Sequence, residues 1–129
     1  MRLLLDTHVW LWLQLDPGRL APETLEVLED EGSDLFLSAA SSWELTIKHA
    51  LGKIVLPEPP GTYVPSRMQR HGIVGLPIEH AHALAVGTLP PHHRDPFDRL
   101  LIAQAVEEQL TVVTLDAAFG EYEVPILHG

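Results

Sequence analysis

The sequence of 129 residues contains no cysteine. This absence excludes disulfide bonds, zinc–thiolate sites and thiol nucleophiles, and it fits a reducing cytoplasm. Basic residues are scarce, because 8 Lys and Arg accompany 18 Asp and Glu and the net charge is −10. Such a chain does not attract nucleic acid through bulk charge, so a phosphate-bearing ligand would require a bound cation and a local basic patch.

Long uncharged apolar runs are also absent. The N-terminal segment MRLLLDTHVWLWLQLD is apolar, but Asp6 and His8 interrupt it and Asp16 ends it. A membrane-spanning helix needs roughly 18 or more apolar residues in succession, so we expect no membrane span. The early acid and the lack of a small-residue cleavage site argue against a signal peptide. We therefore expect a cytoplasmic protein.

Short apolar runs alternate with helical patterns along the chain, which at this length predicts a single domain over residues 1–129. Buried strands are predicted at residues 3–5, 35–38, 73–76, 111–114 and 124–127. Helices are predicted at residues 7–15, 22–31, from after Ser38 to about Leu51, 65–70, 79–86 and 95–109, with Gly52 ending the third and a loop at 57–61. This alternation indicates an α/β fold with a parallel sheet.

Four acidic side chains follow predicted strands or lie near the start of predicted helices: Asp6, Glu44, Asp98 and Asp116. In an open parallel sheet these positions converge at the carboxyl ends of the strands, where such folds bind their ligands. Carboxylates gathered in one cleft repel one another unless a hard divalent cation holds them. The four acids therefore predict a metal site.

Each acid also has a purely structural interpretation. Asp6 suits the N-cap of the helix that follows it, and Asp116 suits the start of a turn. Ser41 and Glu44 have the spacing of a capping box, while Glu44 and Lys48 are an i,i+4 ion pair. The functional interpretation gains its weight from all four acids taken together.

Asp95 and Asp98 share one predicted helix start. Pro96 suits the first helical position, which makes Asp95 the N-cap and puts Asp98 in the first turn. We therefore assign Asp95 to the cap and Asp98 to the metal, and Asp95 stays a candidate auxiliary acid.

The chain resembles the PIN-domain nucleases, and most closely the VapC-type ribonuclease toxins of prokaryotic toxin–antitoxin pairs. The matching segments are LLLDTHVWLW, SAASSWELTIKHALGKI, LPIEHAHALAVGTLPPHHRDPFDRLLIAQA and VVTLDAAFGEY. The resemblance implies a three-layer α/β/α sandwich with a central parallel sheet of about five strands. It also implies a Mg²⁺ or Mn²⁺ site built from the four acids.

The resemblance further implies a metal-dependent endoribonuclease that hydrolyses RNA phosphodiesters as the toxin of a type II pair. The implied partners are an RNA substrate, a second copy of the chain in a homodimer, and an antitoxin whose C-terminal segment lies in the active-site groove. The alternative is a PIN-like module that binds RNA or protein without cutting it.

Other side chains near the acids have candidate roles. Thr7 and Thr114 are candidates to hydrogen-bond a ligand carboxylate or a metal-bound water, although strand-end capping also explains them. Arg94 and Arg99, with the neighbouring pair His92-His93, are candidates to contact RNA phosphates, although charged side chains are commonly just solvated.

We expect His8 to pack in the first turn of its helix and not to bind the metal. The three tryptophans, Trp10, Trp12 and Trp43, are expected in the core. Because Trp10 and Trp12 are two positions apart on a helix, they cannot point the same way, and one of them is a candidate for a dimer or antitoxin interface.

Overall fold

The computed structural model describes residues 1–93 and 95–129. The strands are β1 (Arg2–Leu5), β2 (Asp34–Ser38), β3 (Val74–Leu76), β4 (Thr111–Thr114) and β5 (Ile126–His128). The α-helices are α1 (Thr7–Leu15), α2 (Pro22–Glu29), α3 (Ala39–Ala50), α4 (Pro60–His71), α5 (His80–Ala85) and α6 (Pro96–Glu108). Short 3₁₀ turns lie at Pro17–Arg19, Val86–Thr88 and Ala117–Glu121.

The five strands form one parallel sheet in the order β3-β2-β1-β4-β5. The chain builds outward from β1 to β3 and then returns to place β4 on the other side of β1. In the register of this pair, Leu5 is opposite Val113. The reversal opens a crevice at the carboxyl ends of β1 and β4, which is where open α/β sheets bind ligands.

Apolar residues cover both faces of the sheet, as the parallel arrangement requires. In β1, Leu3 and Leu5 point into one core with residues of α1, α2 and α4. Leu4 points to the opposite face, where it packs with Leu101 and Ile102 of α6. Helices on both sides of a central parallel sheet give the predicted three-layer α/β/α sandwich, which is confirmed.

The largest difference from the predicted elements is α4, which begins at Pro60 although a loop was predicted there. Proline suits the first turn of a helix because its missing N–H would be unpaired there in any case. Tyr63 and Val64 are buried on this helix, and their packing outweighs the hydrogen bond that the ring of Pro65 removes from its interior. Elsewhere α2 ends at Glu29, and β5 is shifted towards the C-terminus.

The predicted end of α3 is confirmed. Leu51 is its C-cap, and Gly52 follows with a φ of 74°, a left-handed conformation that glycine adopts without strain. Within residues 1–93 and 95–129, no helix combines the length and the apolar character that crossing a bilayer requires.

Candidate active site

Asp6 directly follows β1 and is only 4% exposed. The hydroxyl of Thr114, at the end of β4, donates a hydrogen bond of 2.8 Å to its Oδ2. Asp6 occupies the N-cap position of α1, but its side chain accepts no capping hydrogen bond from a described residue. Burial raises the pKa of Asp6, and the hydrogen bond from Thr114 and the nearby charge of His8 oppose this only in part.

Glu44 lies in α3 and is 3% exposed. The predicted capping box is wrong, because Ser38 is the N-cap and its side chain accepts a hydrogen bond from the N–H of Ala40. Ser41 lies within the helix and accepts a hydrogen bond of 2.9 Å from the hydroxyl of Thr7. The carboxylate of Glu44 is therefore not used to begin its helix.

The predicted pair between Glu44 and Lys48 is present, with Nζ donating to Oε2 over 2.6 Å. The second oxygen of Glu44, Oε1, is buried and has no hydrogen-bond partner among the described residues. Burial lowers the pKa of Lys48, but the contact with Glu44 and the charges of Asp95 and Asp98 outweigh burial and raise it. Lys48 is thus a cation within the acidic cluster, which the helical spacing alone did not reveal.

Asp95 and Asp98 enter the site from the start of α6. Asp95 is the N-cap, as predicted, and its Oδ1 accepts a hydrogen bond of 2.8 Å from the N–H of Phe97. Burial and the negative charges of Asp6 and Asp95 together raise the pKa of Asp98 to about 7. Without a cation, the proton of Asp98 therefore relieves part of the repulsion in the cluster.

Asp116 begins the turn Ala117–Glu121, and its Oδ1 accepts a hydrogen bond of 2.9 Å from the N–H of Ala118. Its other oxygen, Oδ2, lies 2.9 Å from Nε2 of His93, and the same nitrogen lies 3.0 Å from Oδ2 of Asp98. The hydrogen bond with His93 lowers the pKa of Asp116. His93 therefore joins two acids that are distant in the sequence.

The other ring nitrogen of His93, Nδ1, accepts a hydrogen bond of 3.1 Å from the backbone N–H of Asp95. A nitrogen that accepts cannot also carry a proton, so Nε2 is the protonated nitrogen and donates to the acids. The sequence made His93 a candidate for RNA phosphates and did not indicate this contact. Its only sequence signal is that His93 precedes the capping acid by two residues.

The acids meet in one cleft with a volume of about 320 Å³. The lining residues are Asp6, His8, Trp12, Glu44, Asp95, Asp98, Leu115 and Asp116. Two observations suit a divalent cation: the cleft offers mostly carboxylate oxygens, which hard cations prefer, and burial together with the charges of Asp6 and Asp95 raises the pKa of Asp98. Among the described residues, the candidate donor atoms that lie within 4.8 Å of one another belong to His93, Asp98 and Asp116. The buried Oε1 of Glu44 is a further oxygen without a partner in the described part of the chain.

The other predicted site residues have mixed outcomes. Thr114 contacts Asp6 as expected, whereas the hydroxyl of Thr7 is used by Ser41. Arg99 donates to the backbone carbonyls of Val86, Pro90 and His93, so it holds the segment before α6, and its contact with RNA stays a prediction. Arg94 lies outside the described residues.

Two expectations about ring-bearing side chains are wrong. His8 is exposed and lines the cleft, because the first turn of α1 faces the crevice. Trp10 is fully buried, but Trp43 is 58% exposed, since α3 turns its side chain away from both cores.

Comparison with known proteins finds relatives along nearly the whole sequence. A profile of the PIN domain matches residues 3–125. Ribonuclease VapC22 of Mycobacterium tuberculosis is 30% identical over 123 residues, which are 95% of this chain and 92% of that protein. Ribonuclease VapC16 of the same organism is 47% identical over 60 residues, which are 46% of this chain and 43% of VapC16.

Among solved structures, VapBC2 from Rickettsia felis, bound to a DNA fragment from its promoter, contains a chain of the same fold. The TM-score is 0.75 at 16% identity, and the match covers 99% of this chain and 98% of that one. The profile match over nearly the whole sequence and the full-length relative lead to one conclusion: the chain belongs to the PIN domain family.

Proposed function

We propose that this protein is a metal-dependent endoribonuclease and the toxin of a type II toxin–antitoxin pair. The observation that carries the proposal is the convergence of Asp6, Glu44, Asp98 and Asp116, from four distant segments, on one cleft. The ribonuclease names of VapC22 and VapC16 support the same reaction.

In this proposal Asp6, Glu44 and Asp98 would hold Mg²⁺ or Mn²⁺, and Asp116 would complete the set directly or through water. All four offer oxygen, the donor that these cations prefer. The bound cation supplies positive charge that offsets the charge of a phosphodiester and lowers the pKa of a water molecule.

The protein's own groups prepare this site. Thr114 fixes Oδ2 of Asp6, and Lys48 holds Oε2 of Glu44 so that Oε1 remains free for a ligand. His93 orients Asp116 through a hydrogen bond of 2.9 Å. Hydrogen-bond partners of this kind set the orientation of metal ligands, and their removal commonly lowers metal affinity or activity.

The substrate in this proposal is RNA, cut to leave a 5′-phosphate and a 3′-hydroxyl. Such a reaction requires no 2′-hydroxyl nucleophile, so a pair of histidines acting as acid and base is not needed. The negative cleft also suits an antitoxin segment that carries an arginine, since the guanidinium would neutralise part of the acidic cluster. A homodimer, a single domain over residues 1–129 and a cytoplasmic location belong to the same proposal.

The test is to sequence RNA ends after brief expression of the wild type and of Asp6→Asn. New 5′-phosphate ends are expected with the wild type alone. Circular dichroism and melting of both purified proteins establish that the variant is folded. Equal sets of RNA ends from the two folded proteins would contradict the enzyme and favour a binding module that does not cut.

A further inference from the structure

Trp43 is an exposed aromatic side chain on α3, in the residue directly before Glu44 of the acidic cleft. It is 58% exposed, while Trp10 is fully buried. Large aromatic side chains dominate binding energetics wherever they become buried, so an exposed tryptophan beside a candidate active site indicates a contact surface.

Trp43 on α3 packs against Phe97 on α6, and each of these residues directly precedes an acid of the cleft. Trp43 directly precedes Glu44, and Phe97 directly precedes Asp98. The two rings pack edge to face, with centroids 5.1 Å apart and an interplanar angle of 76°. We call Trp43 and Phe97 the aromatic rim. Neither ring belongs to the lining of the cleft, but the N–H of Phe97 donates to Asp95, which does line it, so a strand that extends from the cleft over the starts of α3 and α6 would meet the rim.

The charges around the cleft limit how an RNA strand is held. Among the described residues that line the cleft, none is Lys or Arg. Two described cations near the acids already have partners, since Lys48 contacts Glu44 and Arg99 donates to three backbone carbonyls. These two groups would have to give up a present partner to bind a phosphate, whereas an aromatic face binds the uncharged face of a base.

We propose that Trp43, held in place by Phe97, stacks against one base of a single-stranded RNA whose phosphodiester lies in the cleft. The proposal rests on the ribonuclease function and adds a subsite for a nucleobase. Stacking on an aromatic ring tolerates every base, because each base has a π face, so Trp43 contributes affinity with little sequence preference.

A protein partner is the competing occupant of this surface. Trp43, Ile47 and Leu51 recur at i, i+4 and i+8 on α3, and all three are exposed, the last by 64%. Trp43 differs from the other two because its ring packs against Phe97, whose N–H contacts Asp95 of the cleft. Leu51 therefore provides a matched control: it is apolar, exposed and on the same helix, but two turns away from the rim.

The first experiment measures cleavage kinetics in Mn²⁺ on a single-stranded RNA pool of random sequence. Trp43→Leu is expected to raise KM between about fivefold and about 150-fold, the range that follows from losing one stacked base, with kcat nearly unchanged. Trp43→Phe keeps a stacking face and is expected to retain most of the affinity. Leu51→Ala is expected to match the wild type.

The second experiment measures binding without cleavage, in the Asp6→Asn background. The same RNA pool is expected to quench tryptophan fluorescence, and the added change Trp43→Phe is expected to remove most of the quenching. Binding is expected to depend weakly on salt, because few phosphates are neutralised by the protein.

The outcomes separate this inference from the function on which it rests. If the wild type cuts RNA, Trp43→Leu leaves KM unchanged and the added Trp43→Phe leaves the quenching unchanged, the stacking subsite is wrong and the ribonuclease stands. If Trp43→Leu keeps its KM but no longer co-purifies with the antitoxin, the rim is a protein interface and the proposal is overturned. If the wild type does not cut RNA, the ribonuclease proposal fails, and the quenching measurement still decides whether Trp43 contacts a base.

Discussion

Two acidic grooves lie at opposite edges of the same sheet. The cleft at the carboxyl edge is lined by Asp6, Glu44, Asp95, Asp98 and Asp116. At the other edge a groove of about 630 Å³ contains Glu29, Asp30, Glu31 and Asp34, and we call it the amino-edge groove. It has about twice the volume of the cleft and nearly as many acids, so neither size nor acid content distinguishes a candidate site.

The difference lies in burial and in how the acids are brought together. The four acids of the amino-edge groove are exposed and come from one stretch, residues 29–34, where Oδ1 of Asp30 simply accepts a hydrogen bond from the N–H of Gly32. In the cleft, Asp6 and Glu44 are 4% and 3% exposed and come from different elements. Water screens exposed acids, whereas buried acids that face one another need a proton or a cation.

The largest expected effect is the loss of RNA cleavage in Asp6→Asn. Asn keeps the size of the side chain but removes the charge that would hold the cation. We expect activity to fall by more than about 100-fold. Removing a residue that only orients a metal ligand already lowers metal affinity or activity by about 10–100-fold, and Asp6 is proposed as a ligand itself. Glu31→Gln, in the amino-edge groove, is expected to keep full activity. A folded Asp6→Asn protein with wild-type activity would remove the cleft from the mechanism.

The next effect is stabilisation by a divalent cation. A cation at about 100 times its Kd adds about 2.7 kcal/mol to the free energy of unfolding, which corresponds to a rise of roughly 10 °C in Tm for a domain of this size. Millimolar Mn²⁺ is expected to stabilise the wild type and Glu31→Gln equally and Asp6→Asn much less. Calorimetric scans with and without a chelator measure this. Equal stabilisation of all three proteins would mean that the ion binds elsewhere.

A smaller effect is expected for Thr114→Val, which removes the hydroxyl that donates to Asp6 and accepts from the N–H of Asp116. Valine nearly preserves the shape, so the fold is kept while Asp6 and the N–H of Asp116 each lose a contact. We expect Mn²⁺ affinity, measured by titration calorimetry, to fall by about 10–100-fold. Thr46→Val is the control, because the exposed hydroxyl of Thr46 donates to a carbonyl of its own helix. Unchanged affinity in Thr114→Val would show that this contact does not orient a ligand.

The smallest effect concerns pH. The pKa of Asp98 is raised to about 7 in the folded protein, well above its unfolded value of about 3.9, so the folded state binds the proton more tightly. The stability of the metal-free protein is therefore expected to fall as pH rises from about 4 through about 7. Asp98→Asn lacks this dependence and should be more stable than the wild type at pH 8.

For Asp98→Asn we expect a gain of about 1–3 kcal/mol at alkaline pH, after an allowance for solvent screening. The gain should be smaller in mildly acidic solution. Urea unfolding at several pH values, with a chelator present, measures the difference. Glu31→Gln should show no such gain. If the stability of the wild type instead rose relative to that of Asp98→Asn as the pH increased from about 4 to about 7, the raised pKa of Asp98 would be contradicted.

Much of the fold and the positions of the acids could be predicted from the sequence. Apolar runs such as Leu3-Leu4-Leu5 are short and uninterrupted because strands of a parallel sheet are covered on both faces. The sequence also predicted Asp95 as the cap of α6, since Asp followed by Pro is a local signal. The start of α4 was missed because the burial of Tyr63 depends on the core that the helix meets.

Most of the contacts within the cleft could not be predicted from the sequence. The spacing of Glu44 and Lys48 predicted their pairing, but not that Lys48 lies among the acids. No local pattern connects His93 with Asp116, because a hydrogen bond between distant segments depends on how the elements pack. The exposure of Trp43 could not be predicted either, because helical periodicity does not specify which apolar positions a neighbouring helix or strand covers.

By itself, the sequence determined the alternation of strands and helices and the placement of an acid after β1, after β4 and near the starts of α3 and α6. These are local properties, set by hydrophobic periodicity and by the residues that begin and end each element. The tertiary structure alone decided which acids are buried together and which oxygens are already hydrogen-bonded. Burial and charge coupling act through space between segments that are far apart in the chain, so they exist only once the sheet has assembled.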